Sequence, residues 1–261
     1  MKKHSASATI THPAYLDEVW TGQNGNAFLK SLKAHGFSES FPCARGFFEA
    51  FANVPEGIVC SDERVRIPRM VTLDFVAQLL LADEEDLDRF VHVYKGRLPL
   101  IFSHSNCGGS LAKYEELRQF GNLPKGTHPD DVAIAHTQKL GRELESHYSH
   151  LVINDAPHTA RGVFVDGTGR LDSWALDAPP FFKSSAAGCG LSPEFILKEV
   201  STICSIARGG HSFGARFTPD RPFYVLVTAK DDRQRKALHD LCEEVAEAHN
   251  GCVKVGSWSP E

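Results

Sequence analysis

The sequence predicts an α/β fold with a mainly parallel β-sheet core flanked by helices. Short apolar runs, typical of buried parallel strands, alternate along the chain with amphipathic helical stretches. This order indicates a parallel sheet, because parallel strands need long crossover connections. With 261 residues and 42% hydrophobic content, the chain is long enough to bury a core without disulfide bonds.

The predicted elements follow one another as the strands and helices of such a sheet. In the central part they are a strand at 56–61, a helix at 71–94, a strand at 98–103, helices at 111–120 and 129–149, and a strand running from 162 into a Gly-rich turn. After a proline-containing break at 177–180 they are a helix at 193–208, a strand at 223–227, a helix at 231–248 and a strand at 252–255. Apolar spacing between 14 and 52 predicts two or three short helices.

We therefore divide the chain into three parts. These are an N-terminal helical arm (1–55), an α/β core (56–177) that carries the candidate site, and a C-terminal α/β extension (178–261). No repeated segment is visible in the sequence.

Composition excludes several classes of protein. The balance of 28 Lys+Arg against 33 Asp+Glu, without a basic block, argues against nucleic acid as a partner. No apolar run approaches the ~18 residues of a membrane span, and residues 1–20 lack the apolar region of a secretion signal. The seven scattered cysteines are an odd number, which indicates reduced thiols rather than a disulfide framework. We expect a cytoplasmic protein that does not bind membranes.

Two polar segments directly follow predicted strands, and they carry the candidate site. The first is Cys60–Arg64 (CSDER) and the second is His104–Gly109 (HSNCGG). Because the carboxyl ends of neighbouring parallel strands meet at one edge of a sheet, we expect Cys60, His104 and Cys107 to lie together. Two thiolates and one imidazole suit Zn²⁺, and three protein ligands leave a fourth tetrahedral position for water.

Asp62 and Arg64 are expected to form a charge-assisted pair beside this metal. Residues two apart in an extended loop point the same way, so the two side chains can meet. Held by Arg64, Asp62 can accept a hydrogen bond from zinc-bound hydroxide. Released from Arg64, Asp62 could become a fourth ligand and exclude water.

The two segments together resemble the β-class carbonic anhydrases, whose pattern is Cys-x-Asp-x-Arg followed by His-x-x-Cys-Gly. The stretch GVFVDGTGRL resembles a late strand and turn of that family, so the similarity spans roughly residues 56–172. The resemblance implies that Cys60, His104 and Cys107 bind Zn²⁺ and that Asp62 and Arg64 are the catalytic pair. It also implies reversible hydration of CO₂ to bicarbonate by zinc-bound hydroxide, in a homodimer or larger homo-oligomer.

Three alternatives stay open at this stage. The same zinc site could hydrolyse another small linear molecule such as COS or CS₂. The zinc could be structural, with Asp62 completing a closed site, since the Arg-Asn-(Ala/Gly) segment that the family carries between the two motifs is not found here. The chain could also be a non-catalytic, zinc-stabilised binding or regulatory protein with 178–261 as its interaction module. One of five histidines could serve as a proton shuttle, while solvated helix and loop positions explain most of them: His128, His136, His147, His150 and His158.

Overall fold

The computed structural model describes residues 49–50, 55–65, 67, 70–153, 158–169, 171–172, 181–209, 213 and 217–258. Most of the predicted N-terminal helical arm lies outside these residues. Within the described part, no helix combines the length and the apolar character that a membrane span requires.

The described residues form ten strands and five helices, whose bounds follow in chain order. The strands are β1 (Glu49–Ala50), β2 (Gly57–Cys60), β3 (Thr72–Phe75), β4 (Leu100–His104), β5 (His147–Leu151), β6 (Gly162–Asp166), β7 (Leu171–Asp172), β8 (Phe182–Ser184), β9 (Phe223–Thr228) and β10 (Val253–Trp258). The helices are α1 (Glu84–Tyr94), α2 (Gly108–Gln119), α3 (Pro129–Leu144), α4 (Pro193–Gly209) and α5 (Asp232–Glu247).

Two four-stranded sheets, each parallel throughout, confirm the predicted α/β class. The first has the order β3-β2-β4-β5 and the second the order β8-β6-β9-β10, while β1 and β7 form a short antiparallel pair. In both sheets the strand that comes first in the chain lies between the second and the third, with the fourth at the far edge. The two halves of the chain therefore repeat one topology.

The pairing of β6 crosses the predicted boundary between the core and the C-terminal extension. This strand precedes the predicted boundary at 178, yet it pairs with β8 and β9, which follow that boundary. The three-part division stays a prediction.

The helix predicted over 71–94 is wrong in its first half. Residues 72–75 form β3, which is buried and pairs in parallel with β2. A tight turn at Val76–Leu79 follows, with left-handed backbone at Ala77, Gln78 and Leu79. The apolar spacing here fits a helix, but pairing with β2 and burial on both faces decide for a strand. Helix α1 begins only at Glu84, where the Asp83 carboxylate caps it by accepting from Asp86 N.

The helix predicted over 129–149 is likewise too long. Helix α3 ends at Leu144, where Glu145 adopts a left-handed conformation with φ 59°. Residues 147–151 instead form β5 alongside β4. The hydrogen bonds that β4 offers along its free edge favour a strand over another helical turn.

Strands β3 and β8 bring the two sheets into contact. Ser185 N donates to Asp74 O at 2.9 Å, and Asp74 N donates to Ser185 Oγ at 3.0 Å. Lys183 N donates to Ser61 O at 3.3 Å, directly after the last residue of β2. The Lys183 ammonium is buried, and it donates to Thr72 O at 3.1 Å and lies 3.7 Å from Asp74 Oδ2, which offsets the cost of burying its charge. These contacts place the second half of the chain next to the carboxyl end of β2.

Candidate metal centre

Cys60, His104 and Cys107 meet at one edge of the first sheet. Strands β2 and β4 are parallel neighbours, so Cys60 and His104 lie at adjacent carboxyl ends. Cys107 is the residue before the first turn of α2, close to the positive end of that helix. All three side chains are buried, and their donor atoms lie within 4.8 Å of one another.

The spacing of the two thiols fits a shared metal ion. Sγ of Cys60 lies 3.7 Å from Sγ of Cys107, far beyond the ~2.05 Å of a disulfide. Two sulfurs bound at ~2.3 Å to one tetrahedral ion would lie ~3.8 Å apart. The position of the two thiols is therefore compatible with both of them binding one metal ion.

The orientation of the His104 ring also fits a ligand. Its Nδ1 lies 2.8 Å from Ser105 O, and since a carbonyl only accepts, we assign the ring proton to Nδ1. Nε2 is buried and is the ring nitrogen that faces the thiols, so it can bind a metal ion once its proton is lost. A histidine fixed through one nitrogen with the other available is the usual arrangement of a metal ligand.

The charges in this cluster favour thiolate at Cys107. The hydrogen bond from Cys60 and the nearby His104 hold the pKa of Cys107 well below its usual value. Burial and the adjacent Cys107 sulfur raise the pKa of the Cys60 thiol. Burial alone would lower the pKa of His104, but Cys107 and Asp62 outweigh it and raise that pKa to about 9. Without a metal ion the cluster therefore pairs a Cys107 thiolate with a protonated His104, and a cation that binds here would displace the protons of His104 Nε2 and Cys60.

Asp62 and Arg64 form the predicted pair. Arg64 Nε lies 2.9 Å from Asp62 Oδ1 and Nη2 lies 2.6 Å from Oδ2, while Arg64 N donates to Oδ1 at 2.9 Å. Asp62 Oδ2 lies 4.0 Å from His104 Nε2, so the carboxylate borders the donor cluster. Burial by itself would raise the pKa of Asp62, but the Arg64 hydrogen bonds and the neighbouring histidines hold it well below its usual range. Asp62 is therefore an ionised acceptor with a fixed position.

Glu63 and His158 extend the site in a way that the sequence did not indicate. Both Glu63 carboxylate oxygens lie within 3.1 Å of His158 Nδ1, and the carboxylate accepts from Thr159 N and Ala160 N. The His158 ring stacks on Phe213 with centroids 4.3 Å apart. Glu63 thus ties the loop after β2 to a segment 95 positions later in the chain.

Asp62, Glu63 and His158 also satisfy the geometry of a metal-donor group, with donor atoms within 4.8 Å. Both carboxylates already have charged or N–H partners, Arg64 for Asp62 and the 158–160 segment for Glu63. We interpret this group as the network that fixes the position of Asp62.

A small cavity opens beside the donor cluster. Its volume is about 10 Å³, room for roughly one water molecule. The lining residues come from both halves of the chain: Cys60, Ser61, Asp62, Val76, Gly108, Gly109, His158, Phe182, Ile203 and Ile206. Cys60 and the polar residues Asp62 and His158 thus share this space with apolar side chains.

His158 is the candidate proton shuttle that lines this cavity. The structure gives other positions to the remaining candidates. His128 caps α3, His136 Nε2 lies 2.8 Å from Gln78 O, and His147 and His150 are on β5.

Comparison with known proteins adds no family assignment. The chain matches no family model, no curated protein and no solved structure. The proposed function therefore rests on the sequence motifs and on the geometry of the donor cluster and its cavity.

Glu199 on α4 links the Val76–Leu79 turn to β8 through hydrogen bonds. Its Oε1 accepts from Val76 N at 2.6 Å, and its Oε2 is bonded to the Ser184 hydroxyl. Burial raises the pKa of Glu199 to about 7 despite these hydrogen bonds, and the nearby Asp74 contributes to the rise. The carboxyl therefore holds a proton at a pH where an exposed glutamate has lost it.

Glu199→Gln is expected to remove a pH dependence of stability. Because the folded pKa lies above the unfolded ~4.3, the native state binds more protons than the unfolded chain between these values, so stability falls as pH rises through this window. Glutamine keeps the acceptor for Val76 N, offers an amide N–H to the Ser184 hydroxyl oxygen in place of the carboxyl oxygen that now accepts from it, and does not ionise. In urea unfolding, the variant should gain about 2–3 kcal/mol relative to wild type between pH 5 and pH 8. A difference that stays constant with pH contradicts the expectation.

Proposed function

We propose that the chain is a zinc enzyme that catalyses the reversible hydration of CO₂ to bicarbonate, as its resemblance to β-class carbonic anhydrases implies. The observation that supports this most is a three-donor cluster of Cys60, His104 and Cys107 beside a water-sized cavity with an apolar wall. Three protein donors leave one tetrahedral position open, as in catalytic zinc sites. When bound, Zn²⁺ supplies a nucleophile at neutral pH by lowering the pKa of a water toward ~7.

Asp62 and Arg64 have distinct roles in this proposal. Asp62 lines the cavity and accepts a hydrogen bond from the solvent molecule that attacks the substrate, which orients that molecule. Arg64 holds the Asp62 carboxylate through Nε and Nη2 and keeps it ionised. An acceptor fixed before the reaction costs no reorganisation during it.

The rest of the cavity suits a small apolar substrate and a proton transfer. Val76, Phe182 and Ile203 offer only hydrocarbon surface, which CO₂ can contact without losing hydrogen bonds. We assign the proton released from solvent to His158, at Nε2, the ring nitrogen not bonded to Glu63. Glu63 orients this ring through Nδ1.

Stopped-flow CO₂ hydration on the zinc-loaded protein tests the proposal. We expect catalysed hydration that chelation abolishes, that added Zn²⁺ restores, and that azide, an anion that coordinates zinc, inhibits. No activity at full zinc occupancy would favour the non-catalytic zinc-stabilised protein. Hydrolysis of COS or CS₂ without CO₂ hydration would change the substrate and keep the site.

A further inference from the structure

The second half of the chain, which holds the second sheet (162–258), supplies one wall of the cavity. The metal donors come from β2, β4 and the start of α2, all in the first half. Phe182 on β8 and Ile203 and Ile206 on α4 line the cavity together with one of these donors, Cys60. The two isoleucines are three positions apart and so share one face of the helix. Phe182 and Ile203 are buried, and Ile206 packs against the core.

This wall is part of the packed interior. Helix α4 packs against α2 and against the Val76–Leu79 turn. Glu199, one helical turn before Ile203, accepts from Val76 N. At the start of α2, a Cβ added to Gly109 would lie 2.4 Å from Val76 Cγ1, so these elements are already as close as a glycine permits. Because α4 packs on this turn and on α2, its two isoleucines have little room to move aside for a wider ligand.

The second sheet repeats the topology of the first without repeating its donors. The first strand of the repeat, β6, ends at Asp166, and its third strand, β9, ends at Thr228. Cys60 and His104 occupy the corresponding ends in the first sheet. Among the residues that the structure describes, no metal-donor group lies at the ends of β6 or β9. What the second half contributes to the centre is the wall.

We infer that Phe182, Ile203 and Ile206 limit the width of the substrate and restrict the site to narrow, linear, apolar molecules no wider than CO₂. This inference rests on the proposed function. In a rigid apolar pocket one methylene changes discrimination by ~10–200-fold. Shortening either isoleucine to alanine opens the space next to the donor cluster, so larger ligands gain access while small linear ones keep it.

Ligand binding to the Co²⁺-substituted protein tests the wall without relying on activity. The visible spectrum of Co²⁺ changes when a ligand enters its coordination shell, and azide (linear) and imidazole (wider) serve as the two probes. In wild type we expect azide to change the spectrum and imidazole to leave it unchanged. In Ile203→Ala and Ile206→Ala, imidazole affinity should rise at least ~10-fold with azide affinity nearly constant.

Ile196→Ala is the matched control. Ile196 is buried on the same helix but does not line the cavity, so it loses the same atoms without widening the site. Three results would each overturn the inference. Imidazole could bind wild type as tightly as it binds the variants, or its affinity could rise equally in Ile196→Ala. In the third result, neither probe changes the spectrum of any of the proteins. If Ile203→Ala does not fold, Ile203→Val removes a single carbon and is expected to change imidazole affinity in the same direction.

Substrate kinetics separate this inference from the proposed function. The ratio of kcat/KM for COS to that for CO₂ should rise ~10-fold in Ile203→Ala. If wild type hydrates CO₂ and the ratio and the imidazole affinity both stay unchanged in the variant, the wall inference fails and the proposed function stands. If wild type does not hydrate CO₂ while the two probes still separate by size, the proposed function fails and the wall inference stands.

Discussion

Cys107→Ser should lose bound zinc and CO₂ hydration together. The variant keeps the size of the side chain, but a serine hydroxyl does not ionise near neutral pH and cannot replace a thiolate whose pKa the site lowers. Only Cys60 and His104 then remain as donors. Since loss of a residue that merely supports a ligand costs ~10–100-fold in metal affinity, loss of the ligand itself should cost at least ~100-fold.

Zinc content after dialysis, measured by mass spectrometry, checks this result. Cys204→Ser is the control, because Cys204 is a buried free thiol on α4 that belongs to no donor group among the residues that the structure describes. The serine hydroxyl of this variant can donate a hydrogen bond to a carbonyl of the helix backbone, so the control should fold and retain zinc. Wild-type zinc and activity in Cys107→Ser would show that Cys107 is not a ligand.

Asp62→Asn should keep zinc and lower kcat by ~10²–10³-fold, the cost of removing one fixed charge-stabilising partner. The amide has nearly the same shape as the carboxylate. It is, however, a weaker acceptor toward the attacking solvent, and it no longer pairs with the charge of Arg64. Stopped-flow kinetics and zinc content on the same preparation give both quantities.

Asp86→Asn provides the control for this substitution. Asp86 is equally buried and accepts from Ser192 N and Oγ, away from the cavity, so its variant should keep kcat. Unchanged kcat in Asp62→Asn would remove Asp62 from the mechanism. Loss of zinc in that variant would indicate that Asp62 is itself a ligand in a closed structural site.

The donor cluster was predictable because its signals are local. Cys60 follows a short apolar run, and His104 and Cys107 follow another. Once both runs are taken as neighbouring strands of one parallel sheet, their carboxyl ends lie at the same edge, and this alone brings the three residues together. The Asp62–Arg64 pair follows from alternation within one loop.

The strand β3 and the end of α3 were not predictable from local pattern. Leu73, Val76 and Leu79 fit a helical period, and only the pairing of β3 with β2 makes this segment a strand. The same holds for residues 147–151, which pair with β4. Local propensity is weaker than the hydrogen bonds that a neighbouring strand offers.

The residues that complete the site from later parts of the chain could not be predicted, for a different reason. Glu63 and His158 are 95 positions apart, and no spacing links them. Ile203 and Ile206 lie on an amphipathic helix, where core packing already explains apolar residues. The repeated topology left no trace in the sequence, since the strand ends that carry Cys60 and His104 in the first sheet carry Asp166 and Thr228 in the second.

X-ray absorption at the zinc edge of the zinc-loaded wild-type protein tests the central claim most directly. The structure predicts two sulfur neighbours at ~2.3 Å, one imidazole nitrogen at ~2.0–2.1 Å, and a fourth light atom that azide displaces. A shell without sulfur, or with more than two sulfurs, would contradict the assignment of Cys60, His104 and Cys107 as the ligands.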